Sequence, residues 1–407
     1  MRIVWSTSMG LEKNKMHGNK FHLLELSSNI AKLGNEVFVV YPEYRNTESV
    51  DLKELGMNAI PIKVGNKNVF NYILYHLKLC FKINGLINKL KPDIFYERDL
   101  VLSKSIFKNV KKHRIPIVSE INGVPRNNDD KDKLGNFYRN LILKDMKDKA
   151  KYADKIRVVV NQQKEILINL CDRSITDKVE VITIGTNTEL YKPEDINFSR
   201  KYVNEYLDDK GIDFHIEEDE FLIVFLGTLN YGIRSKGVVD LITVLKEIKN
   251  KKIKFLILGP GEKIKDIKDE YSKLGMECNI RAVGPVEYEK SNHFINSADL
   301  CFLPQITMDK KQEGLSLKLS SYMACGKRIL ASKVPGIDEK VGKFDGYVWD
   351  IDDTEDLHEK IKEAYSNRYL WDKSSEEREY IINFHSWKVI SKKLNSLFDE
   401  LKDSENK

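Results

Sequence analysis

The sequence predicts an α/β protein with two Rossmann-like, doubly wound domains that face each other across a cleft. Short runs rich in β-branched and aromatic residues alternate with longer amphipathic segments, which is the pattern of βα units. This alternation occurs twice, and a polar stretch at residues 186–211 separates the two series. A chain of 407 residues is long enough to form two domains of this kind.

The first series begins with a strand at residues 2–6, an amphipathic helix at residues 21–34 and a strand at residues 36–42. Each further strand follows a helical stretch or a loop, so we expect a largely parallel sheet. These further strands are predicted at residues 93–98, 115–121, 155–160 and 179–185.

The second series follows residues 186–211, which contain Pro193 and many polar residues and are predicted to form a connection. Its strands are predicted at residues 221–229, 252–259, 279–284, 299–304, 328–332 and 347–349. The predicted domains are residues 1–187 and 188–378. Residues 379–407 are predicted to end in an amphipathic helix that packs back on the first domain.

Composition excludes several classes of protein. The chain has 67 basic and 62 acidic residues, a near balance that argues against a nucleic-acid partner. Five scattered cysteines without a CxxC pair predict reduced core thiols, and eight histidines without HExxH predict no zinc site. The start of the chain does not resemble a signal peptide, and no run of about 18 apolar residues is present. We therefore expect a cytoplasmic protein.

Two glycine-containing turns are candidates for anion binding. Gly18 precedes one predicted helix, and Arg234 and Lys236 precede another. Helix N-termini carry free backbone N–H groups and a positive dipole end, so these turns favour a diphosphate. The alternative is that Arg234 and Lys236 lie on a solvated loop.

The stretch EGLSLKLSSYMACG, residues 313–326, predicts a third helix start. The amides of Gly314 to Leu317 would be free donors there. Glu313 would accept hydrogen bonds from the hydroxyls of a sugar. The alternative is that Glu313 only satisfies the dipole of its own helix.

From Arg2 to about Leu401 the order of motifs resembles the glycosyltransferases of family 4, which have the two-domain GT-B fold. The motifs include HGNKFHLLELSSNIAKLG, SEINGVP, FLGTLNYGIRSKGVVDLI, FLILGPGE, VGPVEYEK and EGLSLKLSSYMACG. The resemblance implies a retaining hexosyltransferase that uses a UDP- or GDP-linked sugar, without a metal or other cofactor. Its acceptor would be a glycan, a lipid-linked molecule or another hydroxyl compound, as in polysaccharide biosynthesis.

The resemblance also implies roles for individual residues. Glu313 would contact the donor sugar, and Lys236 would neutralise the diphosphate. Arg234 is our own candidate for the second positive charge, because the family arginine is Thr228 here. The resemblance does not supply a catalytic base, and Glu120 in the SEINGVP motif is our own candidate for it on the acceptor side. The remaining residues of the implied donor site are Gly18, Gly259, Gly261, Val283, Gly314, Leu315, Ser316, Leu317 and Ser321.

Four positions depart from the family pattern, one of which is the loop SEING, where the family often has a histidine and this chain has Glu120 and Asn122. Ser321 replaces the second glutamate that usually holds the ribose, Thr228 replaces an arginine, and His17-Gly18 keeps only one of two glycines. Two alternatives remain open, and Ser321 and Thr228 are the evidence for the first of them. One is a non-catalytic partner subunit that has lost full donor binding, and the other is a sugar-nucleotide epimerase of the same fold.

Two further segments have two interpretations each. Asp350 and Asp352 form a DxD that either binds a metal or, as we favour, starts a charged helix. Residues 68–91 are apolar with interspersed lysines. They either rest on the inner face of a membrane, as a peripheral contact, or pack as a helix against the first sheet.

Overall fold

The computed structural model describes residues 1–13, 18–123, 133–229, 232–304, 316–334, 336–350, 352–370 and 375–405. The chain divides into two compact units. Unit 1 consists of Met1–Gly185 and Trp387–Lys407, and unit 2 consists of Thr186–Ser386. The first change of unit lies close to the predicted boundary at residue 187, whereas the chain returns to unit 1 later than residue 379.

Unit 1 is built on a seven-stranded sheet with the order β3-β2-β1-β4-β5-β6-β7, in which neighbouring strands are parallel. The strands are β1 (Arg2–Thr7), β2 (Glu36–Glu43), β3 (Asn58–Lys63), β4 (Ile94–Arg98), β5 (Ile117–Ile121), β6 (Lys155–Val158) and β7 (Val179–Val181). The sequence analysis missed β3, because an exposed edge strand containing Pro61 lacks a continuous apolar run.

The helices of unit 1 cover both faces of this sheet, as is typical of parallel sheets. They are α1 (Gly18–Lys32), α2 (Val69–Leu90), α3 (Lys104–Lys112), α4 (Lys133–Tyr152), α5 (Asn161–Cys171) and α14 (Trp387–Glu405). Helix α14 is the last of these helices in the sequence and packs on α1. Asn35 Nδ2 donates to Asn395 Oδ1 at 2.7 Å, and the Lys402 ammonium lies 3.0 Å from Asp93.

Unit 2 is built on a six-stranded parallel sheet with the order β10-β9-β8-β11-β12-β13. Its strands are β8 (Phe221–Leu226), β9 (Ile253–Leu258), β10 (Ile280–Gly284), β11 (Leu300–Leu303), β12 (Ile329–Ser332) and β13 (Tyr347–Trp349). Its helices are α6 (Ile196–Asp209), α7 (Gly232–Ile248), α8 (Ile264–Lys273), α9 (Ser291–Ser297), α10 (Leu317–Ala324), α11 (Asp338–Lys343), α12 (Thr354–Ser366) and α13 (Ser375–Tyr380). The prediction of two Rossmann-like α/β domains is confirmed.

Residues 186–211 were predicted to be a connection, and this prediction is wrong for most of the segment, because helix α6 forms there. Asp195 caps the helix, since its side chain accepts from the amide of Phe198 at 2.9 Å. Val203 and Leu207 are buried and provide the apolar face. The many charges on the other face hid this pattern in the sequence.

The five cysteines differ in their exposure to solvent. Cys301 and Cys325 are buried thiols, but Cys278 is exposed, so the prediction of core thiols is wrong for Cys278. Within the described part of the chain, no helix is both long enough and apolar enough to cross a membrane.

Candidate active site

In unit 2, the strand order reverses at the centre of the sheet, between β8 and β11. Connections from these two strands leave in opposite directions, which opens a crevice at their carboxyl ends. The loop that starts at Gly227 follows β8, and helix α10 is the next described element after β11. The crevice between them is therefore the candidate ligand site of this unit.

The loops that border this crevice are held together by their backbones. Gly227 N donates to Leu258 O at 2.8 Å, and Gly259 N donates to Gly284 O at 2.7 Å. Gly259 has a φ of +124°, and a Cβ there would lie 2.2 Å from Gly227 O. Only glycine fits this position, so the turn keeps the loops after β8, β9 and β10 in contact.

Two more of the predicted donor-site residues, Gly261 and Val283, lie in or beside these loops. A Cβ on Gly261 would lie 2.6 Å from the carbonyl carbon of Leu229, so the loop after β9 packs directly on the loop after β8. Val283 lies on β10 and is partly buried against the hydrophobic core of the unit. The structure thus brings Gly259 and Gly261 to the crevice as packing residues.

Helix α10 is fixed to the end of β8. Ser316 caps the helix, with its Oγ accepting from the amide of Leu319 at 3.2 Å. The hydroxyl of Tyr322 accepts from the amide of Leu226 at 2.9 Å. Because Leu226 is the last residue of β8, the first turns of α10 are held beside the loop that carries Thr228.

Lys318 is the basic residue that the sequence analysis missed. It lies in the first turn of α10, and its ammonium is 5.3 Å from the centroid of the Phe225 ring. A Cβ added at Gly227 would be 2.9 Å from this ammonium. The side chain therefore crosses to the loop of Thr228, where the family pattern has an arginine. The only sequence signal was a lysine within the EGLSLKLSSYMACG motif.

Ser321 uses its hydroxyl inside its own helix. Ser321 Oγ donates to Leu317 O at 2.7 Å, and the residue is only 5% exposed. Ser320 is similar, since its Oγ donates to Ser316 O at 3.1 Å. The structure therefore places Ser316, Leu317 and Ser321 along one helix at the crevice, with the Ser321 hydroxyl already satisfied by a backbone carbonyl.

Arg234 and Lys236 lie within helix α7, which begins at Gly232, and not before it as the sequence predicted. The Lys236 ammonium forms an ion pair with Asp352, and this hydrogen bond raises the pKa of Lys236. Half of the Lys236 side chain is exposed. The side chain of Arg234 lies outside the described residues, as do Glu313, Gly314 and Leu315.

The DxD carboxylates each have a lysine partner. Asp352 pairs with Lys236, and Asp350 lies 3.6 Å from the ammonium of Lys333. The chain then enters helix α12, where Asp353 accepts from the amide of Asp356 at 2.9 Å. Among the residues described, no three His, Cys, Asp or Glu side chains are grouped so that they could hold a metal ion.

In unit 1, the strand order reverses between β1 and β4. Here the Ser8 hydroxyl donates to the carbonyl of Asp99, and Asn122 Nδ2 donates to Asp99 Oδ1 at 3.3 Å. These residues follow β1, β4 and β5, so they form a polar rim at the carboxyl edge of the sheet. Gly18, predicted at this side, is the exposed first residue of α1, and His17 lies outside the described residues.

Residues 99–103, which follow β4, are held in a strained conformation. Asp99 and Leu102 have φ values of 60° and 63°, a region that side chains other than glycine rarely adopt. Buried side chains hold the loop by accepting hydrogen bonds from its backbone amides. The pairs are Leu100 N with Glu97 Oε1 at 2.7 Å, Val101 N with His76 Nε2 at 3.2 Å and Ser103 N with Asp145 Oδ1 at 2.7 Å.

Glu120 lies on β5 in a fully buried cluster of charged groups. Its carboxylate is 2.9 Å from Arg157 Nη1 and 3.4 Å from Arg98 Nε, and it also accepts from the Tyr96 hydroxyl. Burial would raise the pKa of Glu120, but the two guanidinium groups outweigh it and hold the pKa well below the ordinary value. Such a carboxylate is a weak base, so these contacts favour a structural role over the predicted catalytic one.

Comparison with known protein families gives two matches, one over most of each unit. Residues 18–190 match the family described as Glycosyltransferase Family 4, and residues 205–400 match Glycosyl transferases group 1. The chain carries the two domains of a family 4-type glycosyltransferase.

The relatives agree with this assignment. Two uncharacterised glycosyltransferases of Methanocaldococcus jannaschii are 24% identical over 58% of this chain and 26% identical over 67% of it. The matched part spans 57% and 64% of the length of those relatives. The crystal structure of HepE from Anabaena, in complex with UDP and glucose, is 12% identical. It has a TM-score of 0.71 and covers 98% of this chain and all of HepE, so the GT-B fold is shared.

Proposed function

We propose that this glycosyltransferase moves a hexosyl residue from a nucleotide-diphosphate sugar to a hydroxyl acceptor, with retention of configuration. The observation that carries the proposal is the crevice of unit 2, where Lys318 reaches the loop of Thr228 beside the start of α10. A cation and free helix amides are the groups that bind a diphosphate. The UDP complex of the related fold supports a uridine nucleotide as donor.

The proposed chemistry is electrostatic. Negative charge develops on the diphosphate as the glycosidic bond breaks, and Lys318, Lys236 and the amides at the start of α10 would stabilise it. Glu313 would orient the sugar through its hydroxyls. In the proposed retaining mechanism the acceptor attacks from the face that the diphosphate leaves, and the diphosphate takes the proton of the acceptor.

A donor screen tests this proposal directly. Purified protein is mixed with UDP-, GDP- and ADP-sugars, and we expect a thermal shift with at least one nucleotide series. Slow hydrolysis of that donor, followed by NMR, should release the sugar first as the anomer present in the donor. Absence of any shift would favour a partner subunit without donor binding, and the opposite anomer would exclude retention.

Metal removal should have little effect on the reaction. We expect turnover in EDTA to stay within about twofold of the untreated enzyme, because lysines and amides would meet the phosphates. Initial rates with and without EDTA, then with added Mg²⁺ or Mn²⁺, provide the measurement. Complete inhibition that either metal reverses would restore the metal-binding interpretation of Asp350 and Asp352.

Replacing Lys318 tests the crevice itself. Lys318→Gln should weaken UDP binding by about tenfold or more, because charged hydrogen bonds to phosphate contribute roughly 1.5–3 kcal/mol. Isothermal titration with UDP measures the change. Lys343→Gln is the matched control, since the Lys343 ammonium also lies over a phenylalanine ring, 5.4 Å from the Phe344 centroid. Equal UDP affinity in both variants would contradict the assignment of Lys318.

A further inference from the structure

Helix α2 has a second apolar face that points away from the core of unit 1. Its inner face is buried and includes Tyr75, Leu79, Ile83 and Ile87. The outer face carries large apolar side chains at intervals of three and four residues, so they stack in one line along the helix. These residues, which we call the α2 stripe, are Phe70, Ile73, Leu77 and Phe81, and each is between 45% and 85% exposed.

The charges of α2 are all of one sign. The helix contains lysines but no aspartate or glutamate. Lys82 directly follows Phe81, which places it about 100° around the helix from Phe81. Lys89 comes two turns after Lys82 and lies about 20° from it around the helix, so both lysines are on the same side of the stripe. Both lysines are exposed. An apolar stripe bordered by lysines is typical of helices that lie in the interface of an anionic membrane.

We propose that the α2 stripe docks unit 1 on the surface of a bilayer that contains anionic lipids. The apolar side chains would enter the boundary between headgroups and acyl chains, while Lys82 and Lys89 would contact lipid phosphates. Pairing of two copies through this face fits less well. It would bring the same lysines together without any carboxylate on α2 to neutralise them.

The position of α2 gives this docking a consequence for the acceptor. The first turns of α2 contact the carboxyl edge of the sheet. The Tyr72 hydroxyl lies 3.3 Å from Ser8 Oγ, and the Tyr75 hydroxyl donates to Thr7 O at 2.6 Å. A bilayer under the stripe would lie on the opposite side of α2 from these contacts, about one helix diameter from the polar rim of Ser8, Asp99 and Asn122. A lipid-linked acceptor could reach the rim from the membrane, an extension that rests on the proposed function.

Vesicle flotation of the full chain tests the docking. Vesicles contain phosphatidylcholine alone or phosphatidylcholine mixed with phosphatidylglycerol. The wild type should float with the mixed vesicles and lose binding at high salt. Phe70→Ser with Phe81→Ser should lower the partition coefficient about 10²-fold. Lys82→Gln with Lys89→Gln should lower it about tenfold or more, on mixed vesicles only.

The control variant is Phe198→Ser, which removes a 57% exposed phenylalanine of unit 2 and should bind vesicles as the wild type does. Wild type that floats with neither vesicle, or phenylalanine variants that float normally, would overturn the proposal. Light scattering tests the alternative that two copies of the chain pair through the stripe. If the phenylalanine changes turn a dimer into a monomer and wild type does not float, the stripe is a self-association surface. Donor hydrolysis without vesicles tests the proposed function separately, because α2 is not part of the donor crevice.

Discussion

Glu313→Gln is expected to lower turnover about 10²-fold while leaving the fold intact. Glu313 lies just before the capped start of α10, where the resemblance places the donor sugar. The amide of glutamine keeps the shape of the side chain but loses the negative charge that accepts hydrogen bonds from the sugar hydroxyls. Because those bonds strengthen as the reacting centre becomes positive, the loss should appear mainly in kcat.

Steady-state rates of donor hydrolysis or transfer measure this effect, and thermal unfolding checks that the variant is folded. Glu359→Gln serves as the matched control, because Glu359 is an exposed glutamate on α12 of the same unit. Its turnover should equal that of the wild type. If Glu313→Gln has wild-type kcat and KM, Glu313 does not contact the sugar, and the donor must bind elsewhere.

Glu120→Gln is expected to lower the free energy of unfolding of unit 1 by about 3–5 kcal/mol. The change removes the negative charge between Arg98 and Arg157, both of which are fully buried. Two buried guanidinium groups would then lack their counter-charge, which is the costly way to break a buried ion pair. Burial and Arg98 hold the pKa of His22 well below its ordinary value, so this neighbouring imidazole stays neutral and adds no third positive charge to the cluster.

Urea unfolding followed by far-UV circular dichroism measures this loss. Glu180→Gln is the matched control, because Glu180 forms a surface ion pair with Lys155 at 2.8 Å on the same sheet. Removing that pair should cost no more than about 1 kcal/mol. The two roles of Glu120 predict opposite results. A stable variant with kcat reduced by 10²-fold or more would support the catalytic base, whereas destabilisation with little change in kcat per folded molecule supports the structural role.

Local patterns in the sequence were sufficient for the two α/β units and for most of their strands. Strand and helix periodicity is a short-range property, so β1 and α1 could be predicted from their own residues. Prediction was poorer where the element depended on its surroundings. The charged helix α6 is stabilised by packing of Val203 and Leu207, and the edge strand β3 is stabilised by pairing with β2.

The sequence by itself determined the order of the motifs, and with it the family resemblance and the candidate residues Glu313 and Lys236. Only the tertiary structure decided which side chains meet. Lys318 reaches Gly227 because β8 and β11 are parallel neighbours in the sheet, which brings residues that are distant in sequence to one edge of it. Glu120 meets Arg157 because β5 and β6 are neighbours in register. Strand order and register are not encoded by any local pattern, so the charge of Glu120 could be predicted but not its two arginine partners.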